Sequence, residues 1–197
     1  MELFGNKNML HIFKILFIFQ EGTHMHEIIK DYVQAIPETR FIGYKYGDSD
    51  RVDGGFGYQW AEWNKTGRFA KLEELLTEEF KQSYEDHNAY VGLMRCKEGE
   101  PFEYWIGMFL PKESIVPEGF DYIDMEAGSL GVCWIQGPVE ELFFNEEICG
   151  KRISDKGHEI IADKEGAWWF FERYGCPRFT EEDEQGNVVL DICHYIK

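Results

Sequence analysis

Basic residues are scarce in this chain: 20 lysines and arginines stand against 37 acids, giving a formal net charge of -17. Such a field repels a phosphate backbone over a Debye length of about 8 Å at physiological salt, which argues against direct nucleic-acid binding. A basic recognition helix of helix-turn-helix type is missing as well. The five cysteines, Cys96, Cys133, Cys149, Cys176 and Cys193, contain no Cys-x-x-Cys pair and no Cys-His cluster at zinc spacing. Scattered in this way, they read as free thiols of a reducing, cytoplasmic protein. His24 and His26 flank Met25 without carboxylates to complete a metal site, so neither a metal nor a cofactor is expected. There is no Gly-x-Ser-x-Gly elbow and no phosphate-cradling loop. The apolar run over residues 9–19 is broken by Lys14, is too short to span a bilayer and is followed by no small-residue cleavage site. No membrane partner is expected, and residues 1–24 read as an N-terminal extension outside the domain pattern, with Met25 a plausible start.

What is present is aromatic. Six Trp, ten Tyr and 16 Phe make 16% of the chain, enough to line a cavity as well as fill a core. From His26 the pattern is regular. An extended strand kinked at Pro37 is followed by a glycine turn at Gly54 and Gly55, then by Trp60, Trp63, Phe69, Leu72, Leu75, Leu76 and Phe80 at helical spacing. That spacing predicts a helix over about residues 67–83, with an earlier turn carrying both tryptophans. Two apolar runs joined by Lys97, Glu98, Gly99, Glu100 and Pro101 form a hairpin. After Pro117 the order begins again: strands on either side of Ala127 and Gly128, a helical stretch opened by Pro138, and a second hairpin from Trp168 to Ile196 across a polar loop. The expected class is α+β, with two fused strand-helix-strand-strand repeats, over about 25–112 and 118–197, related by a pseudo-twofold axis. Their antiparallel sheet carries helices on one side and leaves the other side for a shared groove.

The second hairpin ends on an acid among apolar residues. Strand alternation places Val189, Asp191, Cys193 and Tyr195 on one face and Val188, Leu190 and Ile192 on the other. A carboxylate there must be paired, protonated or waiting for a cation. Pairing with Arg173 or Arg178 is the structural alternative to a binding role.

The order of motifs, from residues 119–137 through Phe171, Glu172, Arg173 and Tyr174 to Leu190, Asp191 and Ile192, resembles the GyrI-like small-molecule-binding domain, also called the AraC effector-binding domain. Residues 119–137 are similar to the opening of that family's second half. Phe171, Glu172, Arg173 and Tyr174 resemble its Phe-Glu-x-Tyr motif, and Leu190, Asp191 and Ile192 resemble its closing strand. The closing strand departs from the pattern: the family's carries Glu, a large aromatic and Pro, whereas here the shorter Asp191 is followed by Cys193, His194 and Tyr195. The resemblance covers most of residues 25–197 and implies a stand-alone domain binding a lipophilic, cationic small molecule in a groove between the halves. Family members serve in effector sensing, in drug or toxin sequestration, or in hydrolysis of reactive cyclopropane compounds.

Aligning the hairpins sets Glu103 against Asp191, with Trp105, Gly107 and Phe109 on the same face as Glu103. The candidate ligand-binding residues are therefore Asp191, Glu172, Tyr174, Glu103, Trp105, Phe109, Trp63, Trp134 and Tyr195. Rings would hold an organic cation by about 0.5–2 kcal/mol each, and a desolvated carboxylate would pair its charge. Glu103 could equally lie at a solvated rim, and Gly107 would let a ligand approach the backbone. The alternative is a small-molecule hydrolase using Asp191 or Glu172 as general acid or base, with Tyr174 orienting it. The candidate partners are the small molecule and a regulatory protein.

Overall fold

Two short bends decide how the sheet closes. In the computed structural model, which describes residues 26–174 and 177–197, strands β1 (Glu27–Ile36) and β2 (Thr39–Tyr46) are separated by Pro37 and Glu38 alone. The strands β5 (Asp121–Met125) and β6 (Gly128–Gly137) are separated by Glu126 and Ala127 alone. Two hairpins complete the sheet: β3 (Tyr90–Cys96) with β4 (Glu103–Pro111), and β7 (Trp168–Tyr174) with β8 (Val188–Ile196). The order across the eight strands is β1-β6-β8-β7-β3-β4-β2-β5, every neighbouring pair antiparallel. Each bend thus carries the chain from one end of the sheet to near the other, which requires the sheet to curl. Exchanging β1 to β4 for β5 to β8 reproduces the order in reverse, so the fold is α+β with a pseudo-twofold axis between β3 and β7. The expected N-terminal extension, Met25 and Cys176 lie outside the described residues. Among the described residues no helix is long and apolar enough to cross a membrane.

One apolar cluster draws buried side chains from all eight strands, including Ile36, Phe41, Leu93, Phe109, Met125, Val132, Phe171 and Cys193. It fills the inner face of the curl. The outer face carries two separate clusters. One lies under α1 (Gly57–Thr66) and α2 (Arg68–Glu73), where Trp63, Phe69 and Leu72 meet Ile42, Met94 and Ile106. The other lies under α4 (Glu146–Asp155), where Cys149 and Ile153 meet Cys133, Ile135 and Leu190. The single helix expected over residues 67–83 is in fact α2 and α3 (Glu78–Ser83), with α1 ahead of them. Gly67, at φ +65°, closes α1 in a conformation that disfavours a side chain, and the Thr77 hydroxyl caps α3 by accepting from Phe80 N at 3.2 Å.

The side expected to be free of helices is not a groove. Phe80 and Tyr84, at and just after α3, pack into the inner cluster and close it. Trp105, Phe109 and Tyr195 all point into this filled interior, Tyr195 half-buried against Phe171. Gly107 faces no ligand either: a Cβ there would lie 2.1 Å from the Ile42 carbonyl oxygen, so the missing side chain lets β2 and β4 approach closely.

Asp191 is fully buried and already clasped. Arg173, opposite it across β7 and β8, donates from Nε to Oδ2 at 2.9 Å and brings Nη2 within 2.6 Å of the same oxygen. Arg178, on the short helix α5 (Pro177–Thr180), donates from Nε to Oδ1 at 2.6 Å. Both guanidinium groups also reach Asp86, Arg173 at 2.7 Å and Arg178 at 2.8 Å. Gln34 Oε1 and the Tyr32 hydroxyl accept the remaining Arg173 protons at 2.7 and 3.2 Å. Two arginines and two aspartates thus neutralise one another inside the curl. Removing one member of such a set strands opposite charges out of water. Arg173→Leu is expected to lower unfolding stability by about 3–5 kcal/mol in urea titration, and a loss under about 1 kcal/mol would show the network to be dispensable.

Candidate functional site

The gap between the two helix groups on the outer face is a cavity of about 680 Å³. Its floor is the centre of the sheet: Tyr90 and Met94 of β3, Tyr104 of β4, and Glu172 and Tyr174 of β7. One wall is α1 with the loop before it, supplying Phe56, Trp60 and Asn64. The other combines Phe143, Phe144 and Glu146 at the start of α4 with Phe179 and Thr180 of α5. The volume falls in the usual range for small-molecule sites.

The floor is built by interlocking rings. Gly92 faces Glu172 across β3 and β7, and a Cβ on it would lie 2.4 Å from the Tyr104 hydroxyl. The absence of that carbon lets Tyr104 lie across β3. Phe56 stacks on Tyr104 with centroids 4.1 Å apart and planes 1° from parallel, and Trp60 Nε1 donates to the Tyr104 hydroxyl at 3.0 Å. Trp60 lies 4.6 Å from the Tyr174 ring, and Tyr174 and Phe179 meet edge to face with centroids 4.9 Å apart. These contacts fix all five rings to one another, a preformed arrangement of the kind a cation favours.

Two carboxyls open onto these rings. Glu172 accepts from the Tyr174 hydroxyl at 2.5 Å and is 4% exposed. Burial pushes its pKa up to about 8, the nearby Glu146 carboxyl adding to the shift. Glu146, also 4% exposed, is the first residue of α4 and is pushed up to about 7 by burial. Its hydrogen bond to its own backbone N–H and the Arg51 charge act in the opposite sense. Among the described residues no lysine or arginine forms an ion pair with either acid; the buried pairs belong to Asp86 and Asp191. Arg51 reaches the cavity, but its guanidinium pairs with Asp48 at 2.9 Å and lies over the Phe56 and Phe102 rings. No group of histidines, cysteines and acids that could hold a metal occurs among the described residues.

The structure distributes the nine sequence-derived candidates over both faces. Glu172 and Tyr174 line the cavity. Asp191, Trp105, Phe109 and Tyr195 lie on the inner face, away from it. Glu103 sits at the rim, 3.5 Å from Arg95 and 3.8 Å from Lys45, and accepts from Trp105 Nε1 at 3.0 Å. Trp134 is on the inner side, with Lys30 4.0 Å and the Arg178 guanidinium 4.8 Å from its ring. Trp63 is fully buried under α1, donating to the Tyr46 hydroxyl at 2.9 Å. Trp60, three residues earlier, is the tryptophan that reaches the cavity. Sequence reasoning also missed Glu146. The run Phe143, Phe144, Asn145, Glu146, Glu147 carries an Asn followed by acids, a helix-start signature, but the start was placed at Pro138, where a 3₁₀ turn at Val139–Glu141 forms instead.

No protein-family model matches the chain, and no curated protein matches it. Solved structures of similar fold exist. One is SAV2435 bound to tetraphenylphosphonium, at 15% identity and a TM-score of 0.57, covering 86% of this chain and 94% of that one. Another, from Staphylococcus aureus MU50, is provisionally assigned to bacterial transcription regulation; it shares 15% identity at a TM-score of 0.56, over 85% of this chain and 98% of its own. A third is EcmrR in complex with DNA, at 13% identity and a TM-score of 0.52, matching 98% of this chain and 63% of that one. At these identities the likeness establishes a shared fold.

The two acids carry a pH signature. Each binds its proton more tightly folded than unfolded, where the ordinary value is 4.5, so stability falls as pH rises toward their folded values. His194 works in the opposite sense lower down. Burial holds it at about 4 against an ordinary 6.5, so its contribution grows as pH rises through that interval. Between about 6.5 and 8 the carboxyls act without it. Thermal unfolding without ligand should therefore show a melting temperature that falls across this window, and Glu172→Gln should flatten the fall. An equal slope in both proteins would mean that Glu172 is ionised in the folded state throughout.

Proposed function

We propose that this chain captures a lipophilic organic cation in the outer-face cavity, in effector sensing or in sequestration of a drug or toxin. The observation that carries the reading is a pair of buried carboxyls, unpaired with any base, set among Phe56, Trp60, Tyr104, Tyr174 and Phe179. A carboxylate in such a place costs several kcal/mol of solvation, which a bound cation offsets while the rings add cation-π attraction. The protein would exchange protons for the cation. Support also comes from SAV2435, whose similar fold is bound to a lipophilic cation. The proposal keeps residues 25–197 as one effector-binding domain of GyrI-like type in the cytoplasm, with residues 1–24 outside it.

Titration with tetraphenylphosphonium, followed by tryptophan emission through Trp60, tests the reading. Affinity should tighten as pH rises toward 8, the value at which Glu172 gives up its proton. Glu172→Gln should weaken binding by about tenfold or more, the loss of roughly 1.4 kcal/mol or greater in charge pairing. Asp191→Asn should leave the bound complex's pH dependence unchanged. Unaltered emission across a panel of cationic dyes, or affinity indifferent to Glu172→Gln, would defeat the proposal.

A hydrolase remains the second reading, favoured by one observation. Glu172 holds its proton at neutral pH and is oriented by Tyr174. That is the state a general acid needs toward a strained ring, with water as nucleophile. Incubating the protein with a cyclopropane-containing electrophile and weighing the product by mass spectrometry decides between the two. Addition of one water that disappears in Glu172→Gln supports turnover, and recovery of intact compound in stoichiometric complex supports capture.

A further inference from the structure

Capture of a cation by Glu172 leaves a second carboxyl in the cavity without a role. Glu146 enters from a wall rather than the floor, at the first residue of α4, and is as deeply buried as Glu172. Its backbone position is held from behind: His194 Nε2 donates to the Glu146 carbonyl oxygen at 3.1 Å, and Asn145 Nδ2 donates to the carbonyl oxygens of Glu141 and Leu142, both at 3.0 Å. No other side chain's hydrogen bond or ion pair meets its carboxyl among the described residues. The charged and titratable groups sharing the cavity are Glu172, Arg51, Asp53, Tyr90, Tyr104 and Tyr174. Of these Arg51 alone is basic, and it is committed to Asp48 and to the Gly54 carbonyl oxygen.

A singly charged ligand can match one of the two carboxylates. Ionising the second would then leave an uncompensated charge in a low-dielectric space, so that acid stays protonated. A ligand with two positive groups matches both, one on the sheet and one on the α4 wall. We infer that Glu146 is a specificity-determining residue that makes this cavity select aromatic dications over monocations of the same size. The inference rests on the cation-binding reading and names the ligand class of that site.

The test uses aromatic bis-amidines of three spacer lengths, each beside a mono-amidine in which the second amidine is a neutral carboxamide. By calorimetry, one bis-amidine should bind wild-type protein about tenfold or more tighter than its mono-amidine partner, the difference expected for one added buried charge pair. Glu146→Gln should bring the two within about twofold, and a cooperative thermal unfolding transition shows that the variant is folded. Glu172→Gln should weaken both. An independent measurement needs no variant. At about pH 6, calorimetry in buffers of different ionisation heat should show the bis-amidine releasing close to one more proton than the mono-amidine, because both acids begin protonated. Equal affinities and equal proton release for every pair would overturn the selection while leaving monocation capture intact. A preference that persists in Glu146→Gln would overturn the role of Glu146. Failure of every amidine and of tetraphenylphosphonium to bind would instead remove the cation-binding reading, and this inference with it.

Discussion

Adjacent residues on one strand carry opposite electrostatic tasks. Because side chains alternate across β7, Arg173 enters the inner face of the curled sheet and Glu172 the outer. Arg173 finds Asp191 and Asp86, and a buried group of charges is neutralised within itself. Glu172 finds rings and another acid, and its charge is neutralised by holding a proton. Shifting β7 by one residue would exchange these environments and bury an unpaired guanidinium among rings, so the register decides which side chain reaches the cavity.

The internal duplication sharpens the distinction. Leu93 pairs with Phe171 across the central strands. Taking these two as equivalent makes Arg95 the counterpart of Arg173 and Glu103 the counterpart of Asp191. In both hairpins the arginine stands directly opposite the acid, Arg95 with Glu103 and Arg173 with Asp191. The cross-strand arginine-acid pair is therefore the repeated feature, half-solvated at the rim in the first half and sealed in the second. Under the same equivalence Glu172 corresponds to Met94. The acid that meets the cavity thus stands where the other half carries an apolar side chain, so the symmetric frame is lined asymmetrically.

Much of this frame was legible in the sequence. Both hairpins, their turns and the shared face of Glu103, Trp105, Asp191 and Cys193 follow from period-two alternation and turn chemistry. Alternation cannot say which of two faces closes into a core, and that choice separated Asp191 from Glu172. Nor does it give register across the long loop between β7 and β8, on which the pairing of Arg173 with Asp191 depends. Trp60 and Trp63 belong to the same helical stripe, and only the packing of α1 puts Trp63 under the helix and Trp60 at its edge. Glu146 was hidden by a false helix start, because the proline rule at Pro138 outweighed the capping signal at Asn145. The family resemblance drew attention to the closing-strand acid; the structure gives that acid two arginines.

The two faces are not independent. Arg178 and Phe179 are neighbours on α5, one reaching Asp191 and Asp86, the other standing against Tyr174 in the cavity wall. A four-residue helix has little stability of its own. Its position is set by what its side chains hold, among them the charge-assisted bonds of Arg178 to the inner network. Asp191 therefore bears on the cavity without lining it: it anchors Arg178, the neighbour of the Phe179 that stands against Tyr174 in the cavity wall.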